Sequence, residues 1–231
     1  FKQTDVKRQR GGCMGYRYLD MDSYKRKSHF AYFNSLAYPY VGITVNVDML
    51  GLVKSAKANR LPLFLTVCYL VGKAANEVPE FRQRIEQDKI IEFDHCRTSH
   101  TVALEDGTYC YCTLDGDMSF ADFIPYAVKE QEEAKRRRTI EEEKEDTRDL
   151  FFISTVPWVS YTSLIQPVPM PADSNPRITW GKYFFMDNKT LLPVTVLCHH
   201  ALVDGIHIAG FYQSLEGQIL EMEKRFKDVS V

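Results

Sequence analysis

Residues 191–205 read LLPVTVLCHHALVDG and form the most informative stretch of the chain. Their apolar and β-branched residues predict a strand that ends at His199 and His200. A turn follows, and then a helix over residues 205–226, whose apolar side chains recur at helical spacing. Successive strand side chains point to opposite faces, so the two histidines do not share one cavity. The pattern favours one working histidine over a metal pair, with Asp204 capping the helix or binding a cation from elsewhere.

Strand and helix patterns occupy the rest of the chain, without an internal repeat or a low-complexity linker. After a polar arm at residues 1–15, they predict a single domain of mixed α and β structure over residues 16–231. The predicted strands cover residues 40–48, 89–93, 99–104, 108–113, 150–155, 178–186 and 191–200. The predicted helices cover residues 22–33 (entered through an Asp22 or Ser23 cap), 49–78 (ended by Pro79) and 120–146. The charged second half of the helix at 120–146 is typical of a solvated helical face.

The composition excludes several classes of function. The 231 residues carry 29 Lys and Arg against 31 Asp and Glu, and this balance gives no reason to expect nucleic acid or an anionic membrane. No apolar run approaches the roughly 20 residues that span a bilayer. Six cysteines without a CxxC pair predict reduced thiols in a cytoplasmic protein. Cys96 lies near His95 and His100, but this spacing fits no standard zinc pattern, so no metal is expected.

Four sequence elements, and the order in which they occur along the chain, resemble the pattern of one protein family. HHALVDG at residues 199–205 matches the HHxxxDG signature of CoA-dependent acyltransferases, and residues 154–158 read STVPW, an SxxPW element. A threonine-bearing strand (residues 178–183) and an arginine-aromatic helix (residues 25–33) complete the pattern of the chloramphenicol acetyltransferase family. HHxxxDG alone also occurs in dihydrolipoyl acyltransferases and in peptide-synthetase condensation domains, but the combination is much more specific. The resemblance covers about residues 19 to 222.

This resemblance implies an α/β fold of the α+β type, a two-layer sandwich of a mixed β-sheet and helices. It also implies a homotrimer with active sites at the subunit interfaces. His200 aligns with the family's general base, and a histidine, with an unperturbed pKa of about 6.5, suits that task near neutral pH. Ser154 aligns with the hydroxyl that stabilises the oxyanion, and Thr179 with a threonine that assists through water. Asp204 aligns with a structural aspartate that pairs with Arg26, and no covalent acyl-enzyme is implied.

The acceptor pocket departs from the family pattern. Tyr32, Phe33 and Tyr109 match aromatic residues that line the acceptor slot, although aromatic residues at these positions equally suit a core. The family commonly has Phe and then Tyr on the arginine helix, whereas this chain has Tyr32 and then Phe33. The exchange moves a hydroxyl group and changes what the slot can hydrogen-bond. The acceptor is therefore chloramphenicol or another hydroxylated compound.

The resemblance also implies acetyl-CoA as the co-substrate. Trp158, Lys182 and Tyr183 match residues near the pantetheine or adenine end of the cofactor.

Without the family pattern, Ser154 and Thr179 would be ordinary strand residues. A thiol nucleophile at Cys198 has no required third group beside it. The alternative from another class is a non-catalytic binding protein on the same fold. Such a protein would not need a general base beside an oxyanion donor, which argues against it.

Overall fold

The computed structural model describes residues 15–140 and 147–228. The strands of these ranges are β1 (Tyr16–Tyr18), β2 (Tyr40–Asp48), β3 (Gln83–Glu86), β4 (Lys89–Phe93), β5 (Arg97–Ala103), β6 (Tyr109–Leu114), β7 (Leu150–Val156), β8 (Arg177–Gly181), β9 (Phe184–Met186) and β10 (Lys189–His199). The helices are α1 (Lys27–Asn34), α2 (Leu50–Ala58), α3 (Leu63–Asn76), α4 (Phe120–Arg137) and α5 (Gly205–Asp228). None of the helices within these ranges has the length and apolar character to cross a bilayer.

The main sheet is mixed and has the strand order β2-β10-β8-β7-β5-β6, with β9 paired to one end of β10. β7 runs parallel to both β5 and β8, and the other pairs are antiparallel. A smaller sheet has the order β1-β4-β3. β10 reads as an almost continuous apolar run because it is a central strand with neighbours on both sides.

The two faces of the main sheet differ in character. On one face Val194, Val196 and Cys198 of β10 are fully buried, and helix α5 packs there. The Tyr212 hydroxyl of α5 donates to the Val194 carbonyl at 2.8 Å, which ties the helix to the strand. The opposite face carries hydroxyl side chains such as Thr195, whose Oγ1 lies 2.7 Å from that of Thr44 on β2. A layer of helices on a mixed sheet confirms the predicted two-layer sandwich.

Several helix boundaries differ from the prediction. The helix expected at residues 22–33 begins at Lys27, and neither Asp22 nor Ser23 caps it. Both residues instead bind the Asp20 carboxylate, through the Asp22 N–H (3.0 Å) and the Ser23 hydroxyl (3.0 Å), so a turn replaces the first helical turn.

The other two long helices are interrupted or shorter than expected. Residues 49–78 form two helices because Arg60 takes a left-handed conformation (φ 55°) and Pro62 follows. The helix expected over 120–146 ends at Arg137, where Arg138 is left-handed (φ 53°). Residues 141–146 of that prediction, like residues 1–14 of the predicted N-terminal arm, lie outside the described residues.

The strand expected over residues 178–186 is also two strands, separated at Lys182 and Tyr183. The Lys182 N–H donates to the Val159 carbonyl at 2.8 Å rather than to a neighbouring strand. At Gly181 a Cβ would lie 2.8 Å from both the Val159 oxygen and the Tyr161 ring, so a glycine is needed for this close approach. The segment that carries Trp158 is thus held against the end of β8. The short strands β1 and β3 were not predicted.

Candidate active site

His200 lies in the turn after β10, and its imidazole is held on two sides. The Phe33 ring stacks on it, with centroids 3.7 Å apart and an angle of 24° between the planes. Its Nδ1 lies 2.9 Å from the Val203 carbonyl oxygen. A carbonyl can only accept, so Nδ1 carries the proton and Nε2 keeps a lone pair. The ring is therefore oriented and in the tautomer that a general base needs.

The neighbouring His199 has a different environment. Its Nδ1 accepts the Ala201 N–H at 3.3 Å, and its ring meets the edge of Tyr40 with centroids 5.7 Å apart. Burial lowers the pKa of His199 to about 4. His199 is therefore neutral near pH 7 and packed into the structure, and only His200 of the pair has a ring nitrogen left for a substrate proton.

Arg26 and Asp204 meet beside His200. Arg26 Nη1 lies 3.6 Å from Asp204 Oδ2, and Nη2 donates to the His200 carbonyl at 3.2 Å. Asp204 Oδ1 accepts the Gly205 N–H at 2.7 Å. That backbone bond, followed by the charge of Arg26, lowers the pKa of the Asp204 carboxyl. The guanidinium links the start of α1 to the start of α5 across the backbone of His200.

The three aromatic residues predicted for the acceptor slot do not lie together. Tyr32 is 63% exposed and meets Phe33 edge-on, with centroids 5.1 Å apart. Phe33 contacts the imidazole itself rather than a free cavity. Tyr109 lies on the edge strand β6, four strands away from β10 in the sheet order. Within one chain, therefore, Tyr32 and Phe33 accompany His200, whereas Tyr109 does not.

Tyr109 instead lines a cavity of about 570 Å³ together with Ser154 and Thr179. Ser154 of β7 is in register with Thr179 of β8, so the two hydroxyl groups stand side by side on one face. Thr179 Oγ1 is buried and has no hydrogen-bond partner within the described residues. A buried hydroxyl in that state needs a partner from outside the chain, such as a water or a ligand. The cavity therefore holds two adjacent hydroxyl groups that could donate hydrogen bonds to a bound molecule.

His200 and Ser154 of the same chain are too far apart to act on one carbonyl group. Ser154 lies two strands from β10, which is about 10 Å across the sheet. The register places it level with Thr195, and His200 lies five residues further along, about 13–16 Å away. A base and an oxyanion donor must each lie about 3 Å from atoms of one reacting centre. One chain thus presents two half-sites, one that contains His200 and one that contains Ser154 and Thr179.

A second, apolar cavity of about 710 Å³ is lined by Lys182, Tyr183 and Pro157. Phe64 and Leu192 contribute to its apolar wall. Trp158 follows Pro157 but does not line the cavity, and its side chain is 76% exposed. Two of the three residues expected on the CoA side therefore share a cavity that a long, partly apolar molecule could enter.

Two further residues near the half-sites were missed by sequence reasoning. The Tyr161 hydroxyl donates to the Thr179 carbonyl at 2.8 Å and lies 3.3 Å from Thr195 Oγ1. His207, in the first turn of α5, contacts Arg26 and the Asp204 backbone. The sequence could have indicated His207, because it lies three residues after Asp204 and residues at that spacing share one side of a helix.

The cluster of Cys96, His95 and His100 does not form in the structure. His95 faces Asp115, and His100 faces Gln131. Across residues 15–140 and 147–228, no group of three His, Cys, Asp or Glu side chains is arranged to hold a metal ion.

The mixed sheet, its layer of helices and the oriented histidine after β10 define the class of CoA-dependent acyltransferases. The chain aligns with a solved chloramphenicol acetyltransferase at a TM-score of 0.74 and 25% identity, over 88% of this chain and 99% of the other. The fold is also that of a probable dihydrolipoamide acetyltransferase from Listeria monocytogenes, with a TM-score of 0.63, 16% identity, and coverage of 85% and 92%.

The sequence comparisons identify the family. A chloramphenicol acetyltransferase of Clostridium perfringens is 28% identical over 207 residues, covering 88% of this chain and 94% of the relative. One of Bacillus pumilus is 26% identical over 209 residues, covering 90% and 95%. The model of the chloramphenicol acetyltransferase family matches residues 14–216. The chain belongs to this family, and it is an acyltransferase.

Proposed function

We propose that the protein transfers the acetyl group of acetyl-CoA to a hydroxyl group of chloramphenicol, by direct attack in a ternary complex. The observation that carries this proposal is the state of His200. Its Nδ1–H is bound to the Val203 carbonyl and its ring is stacked on Phe33, which leaves Nε2 as a proton acceptor. The names of the relatives supply the acceptor and the acetyl group, and the family resemblance implies acetyl-CoA as its donor.

Each step of the reaction has a group in this chain. Nε2 of His200 takes the proton of the acceptor hydroxyl while its oxygen attacks the thioester carbon. The carbonyl oxygen becomes an oxyanion, and the Ser154 hydroxyl donates to it, with Thr179 holding a water nearby. The intermediate then expels the CoA thiolate, which receives the proton from the imidazolium. Acetyl passes directly to the acceptor, so the chain carries no acyl group at any step.

The active site is proposed to form between subunits of a homotrimer. This arrangement accounts for the two half-sites, because the base of one chain would face the Ser154 cavity of its neighbour. Closed rings of identical chains repeat one such contact around the axis, so each subunit supplies both halves once. Ile165, which lines the same cavity as Ser154, is 93% exposed, and an exposed large apolar side chain at that point suits burial in an interface.

CoA is proposed to bind beyond the ends of β7 and β8, where Trp158, Lys182 and Tyr183 follow the strands that carry Ser154 and Thr179. Lys182 would contact the phosphates, and Tyr183 and Trp158 would contact the adenine or pantetheine.

Reduced thiols support a cytoplasmic location, where acetyl-CoA is made. The cysteines of the described residues (Cys68, Cys96, Cys110, Cys112 and Cys198) are all free and buried.

A different hydroxylated acceptor is the second candidate, with the same mechanism. One observation favours it. The residue stacked on His200 is Phe33, which has no hydroxyl, and the tyrosine beside it points away into solvent.

The test is release of CoA thiol from acetyl-CoA, followed with a thiol reagent, with and without chloramphenicol. We expect release only with the antibiotic, and loss of nearly all of it in His200→Ala while the melting temperature stays unchanged. Release with other hydroxylated antibiotics but none with chloramphenicol would select the second candidate. Absence of release with every alcohol, from a protein that binds chloramphenicol, would support a binding protein instead. Expression in a susceptible strain should raise its chloramphenicol resistance.

A further inference from the structure

His207 lies next to the base in space and is held in the opposite tautomer. Its Nδ1 accepts the Asp204 N–H at 2.9 Å, and Arg26 Nη1 lies 3.3 Å from the same nitrogen. Both partners are obligate donors, so Nδ1 must carry a lone pair and the proton of the neutral ring lies on Nε2. That nitrogen is 3.7 Å from Glu80 Oε1.

The surroundings of His207 favour its neutral form. Burial lowers its pKa and the charge of Arg26 lowers it further, whereas the charges of Glu80 and Asp204 oppose these effects. Protonation of Nδ1 would direct an N–H group at the Asp204 N–H and at a guanidinium, and both contacts would be lost.

One peptide unit connects the two histidines. The Val203 carbonyl, which accepts from His200 Nδ1, and the Asp204 N–H, which donates to His207 Nδ1, belong to the same planar group. The two bonds therefore extend from opposite edges of one plane, and each polarises the other. If His207 no longer holds the N–H, the plane is free to rotate and the carbonyl moves away from the base.

Arg26 provides a second connection. Its guanidinium contacts His207 Nδ1 through Nη1 and the His200 carbonyl through Nη2, at 3.3 and 3.2 Å. Its nearest carboxylate oxygen, on Asp204, is 3.6 Å away, which is longer than either contact. The direction of the guanidinium is thus set by His207 and by the backbone of the base as much as by the ion pair.

We propose that His207 is a positioning residue that keeps His200 in its catalytic tautomer, acting through the Val203–Asp204 peptide and through Arg26. The proposal rests on the proposed function of His200 as the general base. Since His207 touches no reacting atom, its loss should lower kcat and leave the KM of both substrates nearly unchanged.

Two amide side chains separate the two ring nitrogens. In His207→Asn an oxygen comes close to the place of Nδ1 and can still accept from Asp204, whereas in His207→Gln the amide reaches the place of Nε2, facing Glu80. We expect kcat within about threefold of wild type for Asn. For Gln and for His207→Leu we expect a fall of about 10- to 100-fold, the size of effect that a small misplacement of a reacting group produces. Equal rates in all three folded variants would overturn the proposal.

Nuclear magnetic resonance of ¹⁵N-histidine-labelled protein provides a test that needs no turnover. Two-bond ¹H–¹⁵N correlations report which ring nitrogen carries the proton. In the wild type the expected result is a proton on Nδ1 of His200 and on Nε2 of His207. A second tautomer of His200 should appear in His207→Leu but not in His207→Asn.

A proton on Nδ1 of His207 in the native protein, or an unchanged His200 in His207→Leu, would overturn the proposal. The first of these measurements uses only the wild-type protein, so it tests the proposal even if every variant fails to fold. If the wild type shows the expected tautomers and yet transfers no acetyl group, the proposed function fails and the positioning of His200 by His207 does not.

Discussion

Two inactive variants should restore activity when they assemble together, because the two halves of the site lie on different parts of each chain. His200→Ala removes the base and keeps the Ser154 cavity, whereas Ser154→Ala removes the oxyanion donor and keeps the base. We expect each variant alone to form a folded, nearly inactive oligomer. In a mixed oligomer, the His200 of one chain can meet the Ser154 of the other.

The size of the recovery follows from the geometry. The two side chains of a single chain are separated by about 10 Å across the sheet and about 13–16 Å along it, so no site is completed within a chain. In a ring of three chains, every mixed arrangement has one place where a chain with intact His200 precedes a chain with intact Ser154. Mixed trimers should therefore have about one third of the wild-type activity.

The assay uses co-expression of the two variants with different affinity tags, and purification on both tags in turn to retain only mixed oligomers. Thiol release from acetyl-CoA with chloramphenicol is then measured per trimer against the wild type. The matched control mixes two differently tagged chains that both carry His200→Ala, which should stay inactive. Activity no higher than this control, from mixed oligomers that bind both substrates, would mean that each site is built within one chain, and the reasoning from the strand register would be refuted.

Three further predictions concern single residues. Ser154→Ala should lower kcat about 100- to 1000-fold, the cost of one oxyanion donor, with the melting temperature changed by no more than a degree or two. Phe33→Leu should remove the stacked ring and lower kcat/KM about 3- to 10-fold, equivalent to roughly 1 kcal/mol, whereas Tyr32→Leu should change it much less. Burial lowers the pKa of His100 to about 4, so the unfolded chain binds a proton below about pH 6.5 that the folded chain rejects. The free energy of unfolding should thus fall by about 2 kcal/mol from this group between pH 7.5 and 5, and denaturation of His100→Leu at both values should show a smaller fall.

The element that carries His200 could be predicted from sequence because its signals are local. Residues 191–205 combine β-branched side chains, paired histidines and an Asp-Gly pair within a short span, and β10 and α5 lie where this pattern indicates. One of the predictions that were wrong, the cap of the first helix, concerns competition for hydrogen bonds. Asp22 and Ser23 are good caps in isolation, but the carboxylate of Asp20 lies closer and binds both.

The distance between the half-sites could not be predicted from the residues themselves, since it depends on strand register. Ser154 is level with Thr179 and Thr179 with Thr195 only because β7, β8 and β10 pair in one particular alignment. The hydrophobic pattern of each strand specifies its faces but leaves the position along the neighbour open by steps of two residues. The separation between His200 and Ser154 is a consequence of that alignment. The family resemblance implied an active site at a subunit interface, and the register gives a physical reason for that expectation.

The structure also gives a physical reason for the spacing in HHALVDG. The imidazole of His200 reaches the carbonyl of Val203, three residues further on. A tight turn sets that distance, because the backbone N–H groups of Leu202 and Val203 both donate to the His199 carbonyl at 3.0 Å. One residue more or less in this turn would move the Val203 carbonyl away from Nδ1. The next N–H belongs to Asp204, so the same turn also presents its amide to the start of α5, where His207 accepts it. The signature thus specifies a backbone arrangement that keeps Nδ1 of His200 protonated and its Nε2 free. The peptide unit before Asp204 contributes more to this arrangement than the side chain of Asp204 does.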